Sequence, residues 1–129
     1  MILAVCVDNR MGLSFMGKRL SKDRTLREKL MTLSGGKLRM SVYSGKQFGL
    51  DVYTGADYLS GAREGDWVFA ENTEYLDYAD MIEQIVLFKW NRDYPADVFF
   101  SFPVDWQMVS CEDFPGNSHE TITMEVYRK

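Results

Sequence analysis

The residues from Ile2 to Val7 form an unbroken apolar run that ends at Asp8. A strand with one face in water alternates apolar and polar residues, whereas a strand covered on both faces is apolar throughout. The run therefore predicts a central strand of an α/β sheet with structure packed on both sides. The chain has 129 residues, 46% of them apolar, which is enough for one compact domain over residues 1–129 with a buried core.

A helix is predicted behind this strand, after a loop that contains two glycines. The loop spans residues 11–17, Ser21 is a good N-cap, and leucines recur at helical spacing from Leu26 to Leu33. Asp23 is therefore expected in the first turn of the helix, with its carboxylate toward a groove beside the loop.

The rest of the chain alternates predicted strands and short helices. Strands are predicted at 37–43, 50–53, 66–70, 85–88 and 106–111 and from 122 onward, with short helices at 55–61 and after residue 72. The strand, helix and strand between 66 and 88 resemble a βαβ unit, which favours parallel pairing. The last strand alternates apolar and polar residues, which predicts an antiparallel strand at a sheet edge.

Several functional classes are disfavoured by composition. No stretch approaches the roughly 18 apolar residues of a membrane span, and the first strand lacks the basic lead and cleavage site of a signal peptide, so we expect a cytoplasmic protein without a membrane partner. Cys6 and Cys111 lie far apart and His119 is the single histidine, so no metal site is expected. His119 is open to two interpretations: a general base, or a surface or hairpin-closing residue at the start of an edge strand.

The formal charge of −4 conceals an uneven distribution. Residues 1–48 hold ten Lys/Arg and three Asp/Glu, whereas residues 49–129 hold five and sixteen. Either the two halves interleave in one sheet and their charges pair, or the basic half forms a face for an anionic ligand. Six cations within residues 18–29 also leave nucleotide or nucleic-acid binding open as a second alternative function.

The order of these features resembles the dihydrofolate reductase family. A strand, a Met-Gly loop, Leu20 and an acid at a helix start follow one another as at the opening of that family, and Asp105-Trp106 with residues 117–127 look like its C-terminal hairpin. The resemblance implies an α/β, three-layer sandwich: a mixed sheet with flanking helices and a C-terminal antiparallel hairpin. It also implies a pterin-binding acid, and Asp23 matches it as the candidate catalytic residue. A simpler role for Asp23 is to complement the helix dipole and pair with Arg27.

The same resemblance implies a set of residues lining a ligand cleft. These candidates are Val5, Cys6, Gly12, Phe15, Arg19, Arg27 and Phe88. Two departures weaken a pterin site, because the family's Pro-Trp before the helix is Lys18-Arg19 here, and its hydroxyl residue near the acid is Phe88, which cannot form hydrogen bonds.

The cofactor side departs further from the family. Its glycine run, which lets a dinucleotide pyrophosphate approach a helix start, corresponds to Ala70-Glu71-Asn72, and Ser44 lies in the place of its phosphate turn. Since Glu71 would repel a phosphate, we expect a shortened reductase-like protein that has lost NADPH-dependent reduction, needs no cofactor, and binds a small ligand or a protein partner. The alternative is an NADPH-dependent reductase of a pterin or a related heterocycle.

Overall fold

The computed structural model describes residues 1–49, 51–103 and 105–129 and has a mixed α/β fold, as predicted. Its strands are β1 (Ile2–Val7), β2 (Gly12–Phe15), β3 (Lys18–Arg19), β4 (Leu38–Met40), β5 (Tyr53–Thr54), β6 (Trp67–Phe69), β7 (Gln84–Lys89), β8 (Val98–Phe99), β9 (Gln107–Phe114) and β10 (Ile122–Arg128). Its helices are α1 (Arg24–Ser34), α2 (Val42–Gly45) and a 3-10 helix over Thr73–Met81. Among the described residues, no helix has both the length and the apolar composition needed to cross a membrane.

The larger sheet has seven strands in the order β5-β4-β6-β1-β7-β10-β9. The central strand β1 pairs in parallel with β6 and β7, so that Leu3 lies between Val68 and Ile85. β10 runs antiparallel to both of its neighbours, β7 and β9. The prediction that β1 is a central strand is therefore confirmed. The parallel direction of β6 and β7 is also confirmed, but these two strands do not pair with each other, because β1 lies between them.

Both faces of β1 are covered, which explains its unbroken apolar sequence. Leu3 and Val5 belong to a core that includes Tyr75 of the 3-10 helix. Ala4 belongs to a second core on the opposite face, with Leu26 of α1. Successive side chains of a strand point to opposite faces, so a strand between two cores needs an apolar residue at every position.

The predicted loop at residues 11–17 is wrong, because this segment contains most of a β-hairpin. β2 pairs antiparallel with β3, and Phe15 lies opposite Lys18. Between them, Met16 and Gly17 have φ angles of 51° and 76°. Positive φ at both central residues is the requirement of a tight two-residue hairpin turn. A third strand, β8, pairs with β2 and completes a small second sheet.

Three further predictions are corrected by local hydrogen bonding. The strand at 37–43 is limited to β4, because Ser41 accepts a hydrogen bond from an N–H of α2 and caps that helix. The strand at 50–53 corresponds to β5, and Leu50 lies outside the described residues. The helix at 55–61 is a series of turns, since so short a segment between glycines does not offset the free energy of helix nucleation.

The last strand is not at the sheet edge, because β9 covers it. The alternating pattern of β10 reflects two different surroundings, with Ile122 in the core of α1 and Tyr127 packed against the opposite core. The two halves of the chain interleave around β1, and in the described part of the chain three ion pairs between Lys or Arg side chains of the basic half and carboxylates of the acidic half join them: Arg19–Glu71, Lys29–Glu112 and Arg39–Asp57.

Candidate functional site

A narrow cleft lies between the hairpin, the start of α1 and the ends of β1 and β6. It is lined by Cys6, Leu13, Arg19, Leu20, Ser21, Lys22, Asp23, Leu26, Arg27, Gln47, Phe48, Phe69, Ala70, Glu71 and Trp90. The cavity volume is about 10 Å³, which is close to the minimum for one water molecule. A larger ligand can enter this cleft only if one of its walls moves.

An ion pair between Arg19 and Glu71 closes the cleft. The Nε and Nη2 atoms of Arg19 donate to Oε2 and Oε1 of Glu71 at 3.0 and 3.2 Å. Ser44 donates its hydroxyl to Oε1 at 2.7 Å, and the guanidinium lies 4.5 Å from the ring centroid of Tyr43. A forked, half-buried pair with these additional partners is more ordered than an ordinary surface ion pair.

Glu71 accepts these side-chain donors and not the N–H groups at the start of the 3-10 helix. The reason is the position of the N-cap, since Asn72 caps the 3-10 helix and accepts the N–H of Glu74. The N-cap at Asn72 leaves Glu71 outside the helix, where its carboxylate faces Arg19 of the hairpin.

Replacing Glu71 with glutamine is expected to lower the free energy of unfolding by about 1 to 3 kcal/mol, because charge-assisted hydrogen bonds with Arg19 are lost. Urea unfolding measures this change. Glu28→Gln is the matched control, because Glu28 lies 3.9 Å from Arg24 in an exposed pair that contributes only about 0.3–0.5 kcal/mol. Equal effects of the two substitutions would contradict a stabilising role for the Arg19–Glu71 pair.

Asp23 is the N-cap of α1. The predicted N-cap at Ser21 is therefore wrong, and Asp23 immediately precedes the first turn of the helix instead of lying in it. Its Oδ1 accepts the N–H groups of Thr25 and Leu26 at 2.9 and 3.2 Å. Asp23 lines the cleft, but its carboxylate binds the backbone of residues 117–119 and makes no ion pair with Arg27. The cause is the hairpin turn before β10, which brings its N–H groups to the helix start.

The surroundings of Asp23 keep it ionised. Burial by itself would raise the pKa of the Asp23 carboxyl, but hydrogen bonds from Asn117, His119 and Ser118 outweigh burial and hold this pKa well below its ordinary value. The pKa of the Cys6 thiol shifts in the opposite direction. Burial and the nearby negative charges raise this pKa and keep the thiol in the unreactive protonated form.

His119 is buried, contrary to the interpretation that placed it at the surface. Its Nδ1 lies 3.0 Å from Oδ2 of Asp23, and its Nε2 lies 3.1 Å from the Ser21 hydroxyl and 3.0 Å from the Tyr94 hydroxyl. The imidazole stacks on Trp90, with centroids 4.5 Å apart. Sequence reasoning missed Ser21, Tyr94 and Trp90 as partners because no local pattern links residues so far apart in the chain.

Two open hollows flank the Arg19 side chain. The first has a volume of about 330 Å³ and is lined by Phe15, Met16, Lys18, Arg19, Leu20, Tyr94 and Pro95; we call it the Phe15 hollow. The second has a volume of about 410 Å³ and includes Arg19, Ser41, Tyr43, Ser44, Glu71, Asn72 and Glu74 among its lining residues; we call it the Glu74 hollow. Lys18 and Arg19 line both hollows; the lining of the first is otherwise mostly apolar, whereas the second also contains the carboxylates of Glu71 and Glu74.

The structure brings together only part of the predicted site. The cleft contains Cys6, Arg19, Asp23, Arg27, Ala70 and Glu71, while Phe15 lines the Phe15 hollow and Ser44 and Asn72 line the Glu74 hollow. Val5 and Phe88 are fully buried in the two cores and contribute no surface to these spaces. Gly12 lies against Asp8 and Ala96, which would be within 3 Å of an added Cβ, so glycine is needed there for packing.

The chain was compared with models of known protein families and with curated proteins, and neither comparison found a match.

Proposed function

We propose that this chain is a shortened dihydrofolate reductase-like protein that binds a small anionic ligand and does not carry out NADPH-dependent reduction. The parallel pairing of β1 with β6 and β7 and the antiparallel pair β9 and β10 support this proposal, since the resemblance implies a mixed sheet with a C-terminal antiparallel hairpin. The observation that carries the functional part of this proposal is the Glu71 carboxylate, held by Arg19 and Ser44 at the end of β6.

A dinucleotide pyrophosphate binds where backbone N–H groups are free and negative charge is absent. Neither condition is met beside β6. The N–H of Glu74 donates to Asn72, and the Glu74 hollow contains the carboxylates of Glu71 and Glu74. A phosphate in this hollow would be repelled by both carboxylates, and it would compete with Glu71 for Arg19.

Asp23 is equally unsuited to bind a pterin. An ionised carboxylate has about four acceptor positions, and those of Asp23 are taken by the helix start, the 117–119 backbone and His119. A heterocycle could bind this carboxylate only by displacing donors that hold two elements together. The retained acid is thus better explained by structure than by pterin chemistry.

The Phe15 hollow has the chemistry of a site for a small aromatic anion. Phe15 and Tyr94 provide aromatic walls, and Met16 and Pro95 add apolar surface. Lys18 makes no ion pair with any described residue, so its ammonium is available to a ligand. A volume of about 330 Å³ lies at the lower end of the range for small-molecule sites.

Two probes, benzoate and NADPH, test this proposal. Each is titrated into the protein while the thermal stability and the amide chemical shifts of the protein are measured. We expect millimolar benzoate to stabilise the protein and to shift the resonances of the Phe15 hollow, because ligands that bind only the folded state raise its stability. NADPH at the same concentration is expected to leave stability unchanged and to show no oxidation with dihydrofolate.

Lys18→Gln should weaken benzoate binding by about tenfold, the effect of losing about 1.4 kcal/mol of charge interaction. Lys37→Gln is the matched control, since Lys37 is an exposed lysine outside the hollow, and it should leave binding unchanged. NADPH oxidation by the unmodified protein that is abolished by Asp23→Asn would overturn the proposal in favour of the reductase.

A further inference from the structure

Ser21, His119 and Asp23 are connected in series by hydrogen bonds. The Ser21 hydroxyl lies 3.1 Å from His119 Nε2, and His119 Nδ1 lies 3.0 Å from Asp23 Oδ2. Both distances are within the range for a nucleophile paired with a base and for a base paired with its orienting carboxylate. Asp23 and His119 are almost completely buried, whereas Ser21 is half-buried and lines the cleft.

The hydrogen-bond partners of His119 determine which of its two ring nitrogens carries the proton. Asp23 is ionised and can only accept hydrogen bonds, so Nδ1 must be the donor in their contact. In the neutral imidazole, Nε2 is then left as the acceptor, and the Ser21 hydroxyl can donate to it. This is the protonation state that a histidine needs in order to take a proton from a serine.

The neighbours of His119 suit the charge that such a transfer creates. Trp90 stacks on the imidazole at 4.5 Å, and a stacked indole favours a cationic ring. The Tyr94 hydroxyl lies 3.0 Å from Nε2, and Tyr94 is also one of the lining residues of the Phe15 hollow. Leu20 and Arg19 line both the cleft and this hollow, whereas Ser21 lines the cleft, so an acyl group that extends from the hollow reaches Ser21 only when the cleft widens.

We propose that Ser21 is the nucleophile, His119 the general base and Asp23 the positioning residue of a site that hydrolyses acyl esters of small phenolic acids, in which the phenol oxygen is acylated and the carboxylate is free. The substrate class rests on the proposed function, because the ester would occupy the Phe15 hollow with its negative charge toward Lys18. The assignment of the nucleophile does not depend on that hollow, because it follows from the hydrogen bonds of Ser21 and His119 alone.

The reaction proceeds in two halves and needs only water as a co-reactant. The Ser21 oxygen forms a bond to the acyl carbon while its proton moves to His119 Nε2, and the ester C–O bond then breaks as the leaving phenolate takes that proton. Water attacks the acyl-serine, its proton passes to Nε2, and the acyl C–O bond to Ser21 breaks with return of the proton. No electron is gained or lost.

A fluorophosphonate probe tests the nucleophile directly. Attack by Ser21 forms a P–O bond and expels fluoride, so intact-mass measurement should show one adduct per chain, and peptide mapping should place it on Ser21. Ser21→Ala should abolish labelling, while Ser60→Ala, at an exposed turn serine, should not affect it. No adduct on the folded protein, or an adduct unaffected by Ser21→Ala, would overturn the proposal.

The role of the base is tested with His119→Gln, provided that circular dichroism shows a folded protein. Labelling should slow by about 100-fold or more, the usual effect of losing a general base. A folded His119→Gln variant that is labelled as fast as the unmodified protein would contradict the role of His119 as the base.

The rates of hydrolysis of 4-acetoxybenzoate and phenyl acetate are compared in order to distinguish a failure of this inference from a failure of the proposed function. We expect faster turnover of the charged ester and loss of this preference in Lys18→Gln. Ser21 labelling with no preference for the charged ester would support the triad and contradict the anion site. Benzoate binding without Ser21 labelling would support the site and overturn the triad.

Discussion

Asp23→Ala is expected to lower the free energy of unfolding by roughly 2 to 5 kcal/mol, which is more than the effect expected of Glu71→Gln in the same cleft. The substitution removes the N-cap of α1, an effect of about 0.5–2 kcal/mol. It also leaves the N–H groups of residues 117–119, of which that of His119 is buried, and the His119 imidazole without their acceptor. Each unsatisfied buried group adds about 1–3 kcal/mol, although such losses are not additive.

Urea unfolding measures this loss, and Asn72→Ala provides the matched control. Asn72 caps the 3-10 helix through a single N–H in an exposed position, so its replacement should lower stability by only about 1 kcal/mol. If Asp23→Ala and Asn72→Ala lowered the free energy of unfolding by the same small amount, Asp23 would act only as a helix cap and would not bridge α1 and the hairpin turn.

The pH dependence of this effect follows from the lowered pKa of Asp23. Because the folded-state pKa lies below the unfolded-state value of about 3.9, the carboxylate stabilises the fold fully above that value and loses this contribution progressively as the pH falls below it, through the folded-state pKa. The stability difference between the unmodified protein and Asp23→Asn should therefore shrink as the pH falls from about 5 to about 3. A difference that stays constant over this range would contradict a lowered pKa.

Phe88→Ala is expected to lower the free energy of unfolding by about 3 to 5 kcal/mol, the usual effect of replacing a core phenylalanine with alanine. Phe88 is 0% exposed and packs edge-to-face on Phe114, with ring centroids 6.3 Å apart. Removing its ring leaves a cavity in the core beneath α1. Urea unfolding followed by tryptophan fluorescence measures the change.

Phe15→Ala is the control, because Phe15 is 40% exposed in its hollow, and its replacement should change stability by no more than about 0.5 kcal/mol. The two phenylalanines were both candidates for the ligand site, and the pair of variants separates core packing from ligand contact. A mild effect of Phe88→Ala would indicate open space beside Phe88 and restore it as a ligand-site candidate.

Local patterns predicted most of the fold, since each depends on only a few neighbouring residues. The two-sided burial of β1 follows from its unbroken apolar run, and the end of α1 follows from Gly35, whose φ of 56° favours glycine. The hairpin was missed because its turn, Met16-Gly17, lacks the Asn-Gly or Asp-Gly pair that marks such turns. Its strands are stabilised by pairing with β8, which is remote in sequence.

The sequence alone thus determined the residue types and the order of β1, α1, β6, β7, β9 and β10, including an acid at the start of α1 and a glutamate after β6. The partners of those residues were decided only by the tertiary structure. His119 and Asp23 are 96 positions apart, and Arg19 and Glu71 are 52 apart. Since a hydrogen bond depends on separation in space, and loop closure brings such distant residues together only when the whole sheet forms, no local pattern could indicate these contacts.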